Sequence, residues 1–93
     1  MIKVNEYFGG NVKSMAINAG DYKATVGVML PGEYEFGTST EERMLVTEGQ
    51  IEAMLPGETQ WNAYKAGQDF HVPANVKFQV RIKMDTSYIC YYK

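Results

Sequence analysis

Glu42 shares its alternation parity with Met44 and Val46, so a carboxylate falls on a row that is otherwise apolar. A carboxylate turned toward a core is costly unless it is paired or put to chemical use. Just upstream, Thr38 and Thr40 offer hydroxyls, and Tyr34 and Phe36 lie on the parity of Thr38. Farther on, Phe78 shares a row with Val80 and Ile82, and Tyr88 stands near the end of the chain. A carboxylate accepts hydrogen bonds from two hydroxyls at once. Aromatic faces stack a flat ring without reading its edges. The alternatives are a structural ion pair for Glu42 and core packing for Tyr34, Phe36 and Phe78.

Other reactive side chains fit this row less well. His71, between Phe70 and Val72, faces the other way. Arg43, Arg81 and Lys83 also have outward parity, and the stripe Lys77, Arg81, Lys83 reads as a solvated sheet face. Cys90, in a β-rich segment, reads as a small buried hydrophobe, and the methionines as core fillers.

The elements that position these residues are short and extended. In "GEYEFGT" Tyr34, Phe36 and Thr38 alternate with Glu33 and Glu35, and "VKFQVRIK" alternates in the same way. Period two is the pattern of a half-buried strand. Pro31-Gly32 and Pro56-Gly57 mark turns. "WNAYKAG" reads as irregular. Ser39 and Glu42 have capping-box spacing, which allows a short helix over "TEERMLVTEG". The β-branched Val46 and Thr47, with alternation on both sides, favour a strand. Eight or nine short strands at close spacing predict an all-β barrel or sandwich.

The chain of 93 residues fits one domain, residues 1–93. A domain of this size buries only roughly 60–65% of its unfolded surface, which makes a homodimer a natural way to add burial. The net charge of −2 argues against a dedicated nucleic-acid binder. One cysteine permits no internal disulfide and fits a reducing compartment. No apolar run approaches the roughly 20 residues of a membrane helix, and the N-terminus lacks a signal-peptide core. A cytoplasmic protein that does not bind membranes is expected.

Spacing adds a resemblance. Gly32 precedes Thr38 by five intervening residues, and Glu42 precedes Gly49 by six; Gly67 leads by five to Pro73, then Asn75 and Phe78. This frame resembles the two motifs of the cupin family, which implies a single-domain, RmlC-like β-barrel or jelly roll. The motif histidines fall on Thr38, Thr40 and Phe78, and the segment before Glu42 is two residues shorter than usual. Only Glu42 keeps a ligand identity. Asn75, at a motif glycine, tolerates a left-handed backbone. A catalytic metal needs about three protein ligands, so the resemblance implies a pocket without metal or other cofactor.

The words "NEYF", "GVM", "GEYEF", "LPG", "W…Y.AG", "VP" and "TSYIC" together resemble the small pyrimidine/purine nucleoside phosphorylases of bacteria, from Asn5 to Tyr91. The resemblance implies a nucleoside phosphorylase of broad base tolerance, with nucleosides and inorganic phosphate as partners. Phosphorolysis passes through a cation-like sugar, as glycoside hydrolysis does. For that reaction we assign Glu42 to the ribose and its developing charge. Thr38 and Thr40 are assigned to phosphate or sugar oxygens, and Tyr34, Phe36, Phe78 and Tyr88 to the base. The inward rows hold no cation for phosphate, which leaves hydroxyls, backbone N–H groups, or a basic residue from a loop or a partner subunit. The main alternative is a non-catalytic sugar- or nucleoside-binding cupin barrel. A metal-dependent cupin with ligands elsewhere and a nucleic-acid-binding barrel using the Lys77–Lys83 stripe are more distant ones.

Overall fold

Ten strands form in the computed structural model, which describes residues 1–93. They are β1 (Val4–Tyr7), β2 (Val12–Ala19), β3 (Tyr22–Met29), β4 (Gly32–Gly37), β5 (Glu42–Glu48), β6 (Gln50–Met54), β7 (Asn62–Lys65), β8 (Asp69–Val72), β9 (Lys77–Ile82) and β10 (Thr86–Tyr92). A single 3-10 turn, Phe8–Gly10, interrupts them. No helix is long and apolar enough to cross a membrane.

The strands make two antiparallel sheets. One runs β1-β2-β3-β10-β5-β8 and the other β4-β9-β6-β7. Their inward rows interdigitate as a sandwich core. Val46, Ile51, Ala53 and Val80 are wholly buried there, with Met44, Phe78 and Ile82 beside them. No ladder joins the two sheets, so the barrel is not closed by hydrogen bonds.

Glu42–Glu48 is extended and paired on both sides, by β10 and by β8. The capping-box spacing of Ser39 and Glu42 is therefore not used for a helix. One strand, β7, lies in the segment expected to be irregular. In β7 only Tyr64 is even half-buried, so no alternation announces it. It is a strand because Asn62–Lys65 pairs with Gln50–Ala53 of β6.

The glycine frame fixes the corners. Gly49 has φ +83, and a Cβ there would sit 2.6 Å from both the Asp85 carbonyl oxygen and Thr86 Oγ1. The chain crosses from the first sheet to the second at this point, against buried Thr86, whose hydroxyl accepts from Gln50 N (3.2 Å). Asn75 has φ 60, the left-handed conformation that asparagine tolerates.

The outward basic stripe is not simply solvated. Glu52, only 7% exposed, accepts from Arg81 Nη2 at 2.6 Å and faces Lys83 Nζ at 3.1 Å. The Arg81 guanidinium also lies 4.5 Å from the centre of the Trp61 ring. Arg81, and then Lys83, hold the Glu52 carboxyl below the usual range. A depressed carboxyl pKa gives stability that is present above the unfolded value of about 4.3 and is lost as pH falls through the folded value. Glu52→Gln is expected to lower the melting temperature at pH 7. The gap from wild type should close below about pH 4, as thermal melts across pH would record.

Candidate active site

Between the sheets lies a cavity of about 380 Å³, within the size range of small-molecule sites. The inward row of β5 and β10 forms its floor. Glu42 pairs in register with Tyr92, Met44 with Cys90, and Val46 with Tyr88. Phe36 of β4 and Phe78 of β9 close the opposite side, their ring centres 5.9 Å apart. Phe8 and Tyr7, where the first hairpin turns, stand at one edge.

Glu42 is half-buried at this floor and makes no ion pair with any Lys, Arg or His. Its nearest polar partner is Cys90, whose thiol donates to Oε1 across 3.3 Å. Burial raises the Glu42 carboxyl above its ordinary range, and the thiol hydrogen bond offsets this only in part. Burial, and then the facing carboxylate, push the Cys90 thiol up, so it remains a protonated donor. Burial likewise raises the phenols of Tyr88 and Tyr92. Tyr92 completes the cluster through a 3.0 Å hydrogen bond with Thr25 Oγ1. Glu42 also borders a second, smaller opening, shared with Glu41, His71, Val72 and Pro73.

Four of the residues singled out from sequence meet in the cavity: Glu42, Phe36, Phe78 and Tyr88. Three do not line it. The Tyr34 ring is buried and its hydroxyl donates to the Leu30 carbonyl at 2.6 Å, which makes it a core support under Phe8. The Thr38 hydroxyl donates to the Pro73 carbonyl (2.6 Å) and accepts from Val76 N (3.1 Å), clipping the end of β4 to the turn at Asn75. Thr40 sits in the bend between β4 and β5. The serine and threonine residues that line the cavity are instead Ser14 and Ser39.

Other contributors were not singled out. Ser14 stands on the inward row of Val12, which alternation alone could have placed. Cys90 is buried as expected, but it bonds the carboxyl instead of only filling space. Phe8 has φ +53, rare for an aromatic residue. It opens a run of positive φ with Gly9 and Gly10 that turns its ring onto Tyr34 and Phe36. The pair Gly9-Gly10 after Phe8 was the available signal.

Glycine shapes one wall. A Cβ on Gly27 would fall 2.4 Å from Tyr88 Cζ, so the Tyr88 ring lies directly across β3. The two residues face each other in register, and the bare backbone of β3 makes room for the phenol.

The donors present do not fit a metal. No three His, Cys, Asp or Glu side chains converge anywhere in the chain, and the Glu42 carboxyl has only a protonated thiol beside it.

Two antiparallel sheets enclosing a pocket, with Glu42 at its floor and the corners at Gly49 and Asn75, define a cupin-type fold. An RmlC-like cupin from Shewanella frigidimarina has the same fold, with a TM-score of 0.77 at 19% identity, over 98% of this chain and 82% of that one. More narrowly, the chain belongs to the family described as pyrimidine/purine nucleoside phosphorylase, whose profile matches residues 2–92. A protein of that name from Tolumonas auensis is 55% identical over 93 residues, the full length of both chains. A crystallised protein from Vibrio parahaemolyticus, described as of unknown function, superposes with a TM-score of 0.95 at 44% identity, over 100% of this chain and 99% of that one.

Proposed function

We propose that this chain is a metal-independent nucleoside phosphorylase of broad base tolerance. The observation that carries the reading is a half-buried carboxyl, Glu42, set among aromatic rings in a ligand-sized cavity. The name borne by close full-length relatives supports it. Phe36, Phe78 and Tyr88 offer flat faces to a purine or a pyrimidine alike. Glu42 accepts from the ribose hydroxyls, and its ionised form stabilises the positive charge that grows on the sugar. Ser14 and Ser39 add hydroxyls at the walls.

In the reaction an oxygen of hydrogen phosphate bonds to C1′ of the ribose. The C1′–N bond breaks and its electron pair leaves with the base. The proton of hydrogen phosphate balances the new charge on that nitrogen. The products are free base and ribose 1-phosphate.

The reading places the protein in the cytoplasm, where Cys90 stays reduced, as a homodimer. The outer face of the larger sheet exposes Val4, Met15, Ile17 and Val28, which favours self-association.

The test is to incubate the pure protein with uridine or inosine, with and without phosphate, and to measure ribose 1-phosphate. Phosphate-dependent product is the expected result, and its absence overturns the reading. One observation favours a second reading, a non-catalytic nucleoside-binding barrel. The cavity lining includes Glu35 and Glu42 but no Lys, Arg or His. Saturable nucleoside binding without turnover would establish that second reading.

A further inference from the structure

Phosphate is an anion, and the cavity offers it the Glu42 carboxyl and no cation. If the phosphorylase reading holds, a cation must lie just beyond the lining. Strand register identifies it. Residues paired across a ladder share a face of the sheet. Asn18 pairs with Lys23, Lys23 with Tyr92, and Tyr92 with Glu42. Lys23 therefore lies on the cavity side of the larger sheet, next to Tyr92 and one strand farther from Glu42. Directly opposed residues stand about 4.5–5.5 Å apart at Cα, so the lysine chain can span the width of one strand toward the cavity.

The remaining basic strand residues are turned away. Lys13, Arg43, Lys77 and Arg81 alternate with the buried residues of their strands, and Lys65 with the half-buried Tyr64. Lys13, Arg43 and Arg81 are already paired, with Glu6, Asp69 and Glu52. Lys23 forms no ion pair.

The surroundings of Lys23 are open. At this end of the larger sheet Ala16, Asn18 and Lys23 are exposed. A recess of about 350 Å³ lies against Ala16, Ile17, Asn18 and Lys23. The hydroxyl pair Thr25–Tyr92 stands between this shelf and Glu42.

We infer that Lys23, with the hydroxyls of Thr25 and Tyr92, holds inorganic phosphate on this open shelf beside the ribose end of the cavity. The inference deepens the phosphorylase reading and rests on it for its place in the reaction.

The experiment titrates the pure protein with inorganic phosphate by calorimetry and, in parallel, assays ribose 1-phosphate as phosphate is varied. Wild type should bind phosphate saturably. Lys23→Gln should weaken binding and raise the KM for phosphate by roughly 10- to 100-fold, the loss of one charged hydrogen bond. The KM for nucleoside should stay unchanged. Lys13→Gln, on the outward face, should alter neither constant. No saturable phosphate binding by wild type, or unchanged binding in Lys23→Gln, overturns the site. Phosphate held by Lys23 without any ribose 1-phosphate formation would remove the phosphorylase reading and leave the phosphate site standing. Product formation with an unaltered phosphate KM in Lys23→Gln would do the reverse.

Discussion

Replacing Glu42 with glutamine is expected to lower turnover roughly 100- to 1,000-fold, the usual effect of removing one group aimed at transition-state charge. The fold should persist. Glutamine has nearly the same shape and still meets the Cys90 thiol, which lies 3.3 Å from the carboxyl oxygen. Stability should move the opposite way from activity. Burial raises the Glu42 carboxyl. A raised carboxyl pKa means the folded state favours the neutral form. That advantage is complete below the unfolded value of about 4.3 and is lost as pH rises through the folded value. At neutral pH the wild-type protein therefore keeps an ionised group where glutamine would be neutral. Glu42→Gln should melt at the same temperature as wild type near pH 4, and at an equal or higher temperature at pH 7. Kinetics and melts on one preparation check both halves. Unchanged turnover would make Glu42 a structural residue.

Gly27→Ala should be the more damaging change to the molecule as a whole. The added methyl meets the Tyr88 ring at 2.4–2.6 Å, and Tyr88 is only 6% exposed, so it has nowhere to retreat except into the cavity. Overpacking of this kind costs about 2 kcal/mol, which is roughly 10 °C of melting temperature in a domain this small. Activity should fall further than stability, because the displaced ring occupies ligand space. Trimming the ring relieves the clash, so Gly27→Ala combined with Tyr88→Leu should recover most of the lost melting temperature. A double-mutant cycle measures this coupling. Independent, additive effects of the two changes would mean that the ring does not rest on Gly27.

Much of the architecture was legible because it is written in period two. β4, β5 and β9 follow their alternation, and the turns at Gly49 and Asn75 need the left-handed backbone that glycine and asparagine supply. β7 was not legible, since its four residues bury little and owe their extended form to β6. The site divides in the same way. Parity alone placed Glu42, Phe36 and Phe78 toward the interior, and Tyr88 joins them through its pairing with Val46. Parity also turned Thr38 inward, yet a carbonyl 35 positions away claims its hydroxyl. The contact of Cys90 with Glu42 spans 48 positions. Alternation tells which face a side chain takes, and it carries no information about which distant partner waits there. The outward stripe taught the same lesson, because the reason Arg81 and Lys83 are held in place is Glu52 on a different strand.

Glu42 borders both the main cavity and the smaller opening beside His71 and Pro73. The wall between the two openings is therefore a single residue thick at Glu42. Under the phosphorylase reading, a ligand that fills the main cavity leaves the other side of this residue open to solvent.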